Sequence, residues 1–190
     1  DMQLAVSDMD IYRNLTPRVL AGRKQLLEGS QVVVIDTNLP AESIAWLADN
    51  CHAPIFADPV STVKAEKLRP VLGKLHTLKP NRLEAELLSG VPITGTDSLH
   101  RAAQTLLETG LHRVFISLGA DGVYAADQSG SVTLPAPKAE MVSTTGCGDS
   151  FMAALTWAYL QGSDLERSAR AGLAASSLTM ESAETIHPSM

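Results

Sequence analysis

Residues 144–151, Thr144-Thr145-Gly146-Cys147-Gly148-Asp149-Ser150-Phe151, open an apolar run that continues to Leu160. Gly146 and Gly148 allow the backbone to approach a ligand closely and to take positive φ without steric cost. The run from Phe151 to Leu160 (FMAALTWAYL) reads as a buried helix. A Gly-rich turn feeding a helix N-terminus is a ready anion site, because unpaired N–H groups and the helix dipole point at the same spot. Asp149 places a carboxylate where the anion should sit. One chemical use for it is as a general base beside a phosphoryl group in transfer. A structural use is also open, in which Asp149 or Ser150 caps the helix.

Working outward, apolar strand-like runs alternate with helical ones. Gln3 to Ser7, Gln31 to Ile35, Pro54 to Ala57, Leu75 to Leu78 and Arg113 to Leu118 read as strands. Gly122 to Ala126 and Ser131 to Leu134 read as a hairpin-like pair. The β-branched run QVVVI at 31–35 predicts a strand buried on both faces. Thr16-Pro17 looks like a cap followed by Pro at the first helical position, opening a helix that ends at Gly29. Further helices are expected over Ala41–Asn50, Val63–Leu72 (interrupted by Pro70), Arg82–Ser89, Leu99–Thr109, Phe151–Leu160 and Leu165 to about Met180. The rhythm predicts an α/β fold of three layers, a mostly parallel sheet with helices on both faces, in a single domain over residues 1–190.

Composition narrows the function. A formal charge of −6, from 15 Lys and Arg against 21 Asp and Glu, argues against nucleic-acid binding, which needs a basic face. The two cysteines, Cys51 and Cys147, are far apart and imply neither a zinc site nor a disulfide framework, so a reducing cytoplasmic setting is expected. No apolar run reaches membrane-spanning length and no signal peptide is visible, so no membrane partner is expected. The chain begins at Asp1 within a strand-like run, which suggests a fragment.

In a parallel α/β sheet, ligands gather at the carboxyl ends of the strands. Asp36, Thr37 and Asn38 follow the second predicted strand, Asp58 the third, and Lys79, Pro80 and Asn81 the fourth, with Glu84 one turn on; Gly119 and Gly122 follow the fifth. Singly each has a structural reading: Asn81 and Glu84 fit a capping box, and Asp58 before Pro59 fits a turn. Together, carboxylates and amides beside a Gly-rich anion cradle suggest a Mg²⁺–nucleotide site.

Lys79-Pro80-Asn81-x-x-Glu84, Ser117-Leu118-Gly119-Ala120-Asp121-Gly122 and Thr144-Thr145-Gly146-Cys147-Gly148-Asp149, in that order and spacing, resemble the PfkB carbohydrate kinase family of the ribokinase-like fold. The chain carries no P-loop signature. Ser7-Asp8-Met9-Asp10, Asp36-Thr37-Asn38-Leu39-Pro40 and Leu75 to Asn81 look more like the pseudouridine- and nucleoside-kinase branch than like ribokinase itself. The resemblance implies an ATP- and Mg²⁺-dependent kinase of a sugar or nucleoside hydroxyl. It makes Asp149 the catalytic base and Gly146, Cys147 and Gly148 the anion hole. Asn81 and Glu84 would organise Mg²⁺ and phosphate. Ser117, Gly119, Gly122 and Thr145 would lie along the nucleotide, the Leu165–Met180 helix beside the adenine, and Asn38 near the acceptor.

Two departures stand out. Ser143 occupies a position where the family commonly has an Asp that helps hold a monovalent cation, which leaves potassium activation open. The family's N-terminal sugar-binding segment and lid strands should precede Asp1, so most acceptor-specificity residues and the dimer-forming lid are expected to be missing. The intact protein is expected to be a homodimer. The 190 residues alone are expected to bind ATP without useful turnover. The alternatives are a kinase of a free sugar or sugar phosphate and a nucleotide-binding module without turnover.

Overall fold

In the computed structural model, which describes residues 8–184, six short strands form one sheet in sequential order. They are β1 (Val33–Asp36), β2 (Ile55–Asp58), β3 (Thr77–Leu78), β4 (Arg113–Ser117), β5 (Val123–Asp127) and β6 (Gly130–Leu134). The first four run parallel, and β5 and β6 close the row as antiparallel strands. The strand expected over residues 3–7 lies outside the described residues.

Eight α-helices accompany them among the described residues: α1 (Pro17–Ala21), α2 (Lys24–Glu28), α3 (Ala41–Asn50), α4 (Thr62–Ala65), α5 (Arg82–Ser89), α6 (Thr96–Glu108), α7 (Cys147–Leu160) and α8 (Leu165–Met180). Alternation along the strands sorts the core into two layers, since successive side chains point to opposite faces. Val114 and Ile116 join Ile44 and Leu47 of α3, Ala85 and Leu88 of α5, and Leu106 of α6 on one face. Phe56, Phe115 and Val123 join Phe151 and Leu155 of α7 and Leu173 of α8 on the other. The result is the expected three-layer α/β fold with a mostly parallel sheet.

Three expectations need correction. The helix expected over 16–29 is two short helices. Thr16 caps the first, with Val19 N–H donating to its hydroxyl, but Gly22 ends that helix and α2 restarts at Lys24. Neither piece buries a residue fully; Leu20 and Leu27 are only partly buried against the core, weak packing that leaves the chain free to break at Gly22. The second departure is at β1, which is buried on one face only: Ile35 is buried while Val34 is 50% exposed. β1 ends the row of strands among the described residues, so its β-branched composition reflects strand propensity rather than two covered faces. In the third, the helix expected over 63–72 becomes α4 followed by a 3-10 segment, Glu66–Lys74, that carries Pro70 inside it.

Candidate active site

The parallel register sets a row of polar residues along one edge of the sheet. Asp36 and Asp58 end β1 and β2 as direct neighbours. Lys79 follows β3, its N–H donating to Ala57 O at 3.1 Å. Asn81 bridges to Ser117 at the end of β4. The first turn of α7 closes over this row.

That turn settles the capping question. Gly146 is the N-cap of α7, at φ 83°, and no side chain caps the helix. Ser150 turns back to donate to Gly146 O at 2.9 Å and Cys147 O at 3.3 Å. Asp149 is exposed and makes no hydrogen bond or ion pair among the described residues. The Cys147 N–H is used inside the turn, donating to Thr144 O at 3.3 Å. The N–H groups of Gly148 and Asp149, in the first helical turn, lack intrahelical acceptors and are the ones free for an anion. Burial pushes the Cys147 thiol pKa up, so nothing activates it as a nucleophile. Ser176 of α8 braces the turn by donating to Cys147 O at 2.6 Å.

Asn81 and Glu84 form the reciprocal capping box of α5. Glu84 N–H donates to the Asn81 side chain at 2.9 Å, and Asn81 N–H donates to Glu84 Oε2 at 2.8 Å. Glu84 is 3% exposed, and burial raises its pKa despite the Asn81 hydrogen bond; the neighbouring Asp58 adds to the rise and Lys79 opposes it. The capping role therefore coexists with a place at the edge of the site.

Three adjoining cavities meet here. One is bounded by the Gly146 turn, Ser117, Gly119, Gly122 and the Ser176–Met180 side of α8. A second lies between the β1 and β2 ends and α7, walled by Tyr12, Leu39, Met152, Asp36, Asp58 and Asp149. The third joins them and holds Asp36, Asp58, Lys79, Asn81, Glu84 and Asp149. Its donors are hard oxygens, as Mg²⁺ prefers. No three acidic, His or Cys side chains already converge into a cation cage among the described residues. Mg²⁺ is commonly held by one or two carboxylates together with phosphate oxygens and water, and the oxygen donors of this cavity suit that mode.

The sequence-predicted residues Asn81, Glu84, Ser117, Gly119, Gly122, Gly146, Cys147, Gly148 and Asp149 all border these cavities or form the turn above them. Thr145 sits exposed in the turn, its N–H donating to Ser143 Oγ at 3.2 Å. Asn38 is arranged differently. Its N–H and Nδ2 donate to the two oxygens of Asp36 at 2.8 and 2.7 Å, while Lys64 Nζ donates to its Oδ1 at 2.6 Å. Both ends of the amide are engaged, and Asp36 and Leu39 form the cavity wall.

Sequence reasoning placed Asp36, Asp58 and Lys79 among the strand-end residues of a Mg²⁺–nucleotide site but gave none of them an individual role or partner. Lys79 Nζ pairs with Asp58 Oδ2 at 2.9 Å, with side chains 8% and 17% exposed. Asp58 Oδ1 accepts from Val60 N–H at 3.0 Å. Val60 holds φ 62°, the only positive φ among described non-glycine residues and costly for a β-branched side chain. Val60→Asn should raise stability by roughly 0.5–1 kcal/mol, since Asn tolerates that region. A melting temperature below wild type would show that the turn carries no such strain.

The chain matches the pfkB family carbohydrate kinase profile over residues 15–190. It is 38% identical to the pseudouridine kinase of Escherichia coli K12 over 192 residues, covering 100% of this chain and 61% of that protein. A crystal structure of a putative sugar kinase from Clostridium perfringens superposes with a TM-score of 0.89 at 33% identity, over 100% of this chain and 60% of that one. A ribokinase from Thermotoga maritima shares the fold, with a TM-score of 0.80 at 24% identity over 90% of this chain and 56% of its own. The chain thus spans about three-fifths of the length of the relatives it matches. A likeness that runs from residue 15 to the last residue, on a fold shared with solved sugar kinases, means that the chain belongs to the pfkB family of carbohydrate kinases.

Proposed function

We propose that the protein transfers the γ-phosphoryl group of ATP to a hydroxyl of a sugar or nucleoside, with a pseudouridine-like nucleoside favoured as acceptor. One observation carries this reading. The Asp149 carboxylate, free of any partner among the described residues, borders the cavity that joins the other two (the junction) and the one beside Tyr12 and Met152 (the acceptor side), while Gly148 borders the junction and the cavity beside Gly119, Gly122 and α8 (the nucleotide side). Asp149 takes the proton of the acceptor hydroxyl as its oxygen attacks the γ-phosphorus. The new O–P bond forms as the bond to the bridging oxygen breaks, and ADP leaves. The free N–H groups at the start of α7 neutralise charge on the phosphoryl oxygens in flight. Ser117, Gly119 and Gly122 line the phosphate and ribose path, with Thr145 in the turn above it and α8 beside the base. Mg²⁺, where bound with the nucleotide, supplies further neutralisation of the phosphate oxygens, and Asn81 and Glu84 are placed to hold it.

The acceptor-side wall supports a neutral acceptor. Asp36, Asp58 and Asp149 line it with apolar Val34, Leu39 and Met152, and among the described residues no Lys or Arg lines it. A sugar phosphate would bring its charge against three carboxylates, whereas a nucleoside offers hydroxyls that donate to them and a ring face to pack against the apolar residues. The likeness to the pseudouridine kinase of E. coli supports the same preference. The test is phosphoryl transfer from labelled ATP across pseudouridine, uridine, ribose and ribose 5-phosphate. Turnover of the nucleosides is expected, and turnover of the phosphorylated sugar alone would overturn the reading.

Glu84→Gln separates the two roles of that carboxylate. Gln retains an oxygen to accept the Asn81 N–H, so the capping box survives and stability should change by less than about 1 kcal/mol. The charge near the metal is lost, so activity should fall several-fold more at limiting than at saturating Mg²⁺. An unchanged Mg²⁺ dependence would leave Glu84 as a cap alone.

A further inference from the structure

A stack of rings meets the far end of α7, at the amino ends of the strands and away from the candidate site. His76 directly precedes β3 and His112 directly precedes β4. The His76 ring lies between Phe56 of β2 and His112, its centroid 5.3 Å from each and its plane within 5° and 8° of theirs. Tyr159, in the last turn of α7, packs steeply against Phe56 and His76, with centroids 5.3 and 4.7 Å away. Backbone bonds fix the base of the stack. His76 N–H donates to Ile55 O at 2.9 Å, and Arg113 N–H donates to His76 O at 2.8 Å. Because β3 has only two residues, His76 is the joint through which its neighbours grip its start.

Neutral rings suit this arrangement and charged ones do not. Phe56 is buried and His76 half-buried, so a proton on His76 enters a place with little water to solvate it. The charged groups that face it are His112 and Arg113, both cations when protonated, and Arg113 is shared with Asp127 of β5 at 3.5 Å. β2 and α7 present the Phe56 ring and the Tyr159 phenol. The Phe56 face attracts a cation, but a second imidazolium on the opposite face of His76 repels it. The last carbonyls of α7 give no ready compensation. Trp157, Ala158 and Tyr159 O already accept from the N–H groups of Gln161, Ser163 and Gly162. Burial first, then His112 and Arg113, lower the His76 pKa from the usual 6.5 to about 4.

From this geometry we infer that the His76–His112 pair is an acid-sensitive clasp, which holds the last turn of α7 on the sheet as neutral rings and releases it as a pair of imidazolium rings. The only chemical step is uptake of protons from solvent. The clasp goes beyond the kinase reading and does not depend on it, although α7 is also the helix that carries Asp149. A histidine whose pKa falls on folding binds its proton more readily in the opened chain. Its contribution to stability is therefore whole above about pH 6.5 and drains away as pH falls towards about 4.

The test follows urea unfolding from about pH 7.5 to about pH 4.5 for intact wild type, His76→Phe and His112→Gln, with amide hydrogen exchange at both ends of α7. His76→Phe keeps a ring in the stack that cannot be charged. From about pH 6 to about pH 5 the wild-type unfolding constant should rise about 5–10-fold more than that of His76→Phe, close to the limit for one proton. Carboxylate titration is common to both and cancels in the comparison. His112→Gln removes the second cation at an exposed position, so its rise should fall between the other two. At about pH 5 the amides of residues 158–161 should exchange about 5-fold or more faster in wild type than in His76→Phe, and at about pH 7.5 equally. A pH slope shared by wild type and His76→Phe would overturn the inference, as would last-turn amides that exchange alike in the two at about pH 5. If His76→Phe folds poorly, His112→Gln decides, since a slope no shallower than wild type would show that the two rings do not act as a pair. None of these readouts measures turnover, so failure here leaves the kinase reading untouched.

Discussion

Asp149→Asn in the intact protein should lower kcat by roughly 10²–10⁴-fold, the scale expected for removal of a general base. The change is isosteric, and the carboxylate makes no hydrogen bond or ion pair among the described residues. Folding should therefore be nearly untouched, the only loss being the roughly 0.3–1 kcal/mol that an acidic group contributes in a first helical turn. ATP affinity should stay constant or rise, because a negative charge beside free helix-start N–H groups is gone. Turnover assayed by ADP release, together with ATP binding by calorimetry, checks both halves. A variant that turns over at near-wild-type rate would remove Asp149 from the role of base. One that also loses ATP affinity would mean that the carboxylate is needed to shape the turn.

Where local chemistry marks both ends of an element, its bounds could be read directly. α5 runs from Arg82 to Ser89 as expected, because Asn81 and Glu84 cap its start and Gly90, at φ 72°, ends it. α8 begins after Asp164, whose side chain accepts from Arg167 N–H, and it matches the expected span. α7 was expected from Phe151 and begins at Cys147. Its N-cap is a glycine, which offers no side-chain signal, so the start was visible only as a run of apolar residues. β1 misled in the opposite sense, since a β-branched run records strand preference but not how many faces are covered.

The site divides along the same line. The Gly146 turn and the Asn81–Glu84 pair are contiguous in sequence and were legible as motifs. The Lys79–Asp58 pair is made by the parallel register of β2 and β3, which sets Ala57 beside Leu78. No periodicity in either segment encodes that alignment. The engagement of Asn38 by Lys64 is equally non-local: it depends on α4 packing near the end of β1, and a sequence motif shows the amide but not its partners.

Gly122→Ala should destabilise the fold by about 3 kcal/mol or more, the sum of a left-handed backbone penalty and a steric one. Gly122 holds φ 95°, and a Cβ there would lie 2.0 Å from Leu134 O, 2.6 Å from Ala136 N and 2.7 Å from Pro135 C. All three atoms are backbone, so no side chain can rotate away. Relief requires the end of β6 to move off the start of β5, where Val123 pairs with Leu134. The same shift would strain the Leu118 N–H to Gly122 O bond, 2.8 Å, that closes the loop after β4. Gly119 provides the control within that loop. Its φ is 63° but a Cβ would meet nothing within 4 Å, so Gly119→Ala should cost only the backbone term, about 1 kcal/mol. Urea denaturation of the two variants separates the contributions. If Gly122→Ala costs no more than Gly119→Ala, close approach of the β6 backbone is not what requires glycine there. A larger loss confined to Gly122→Ala would show that this glycine is needed chiefly for the β5–β6 junction, and that the cavity it lines depends on that junction staying closed.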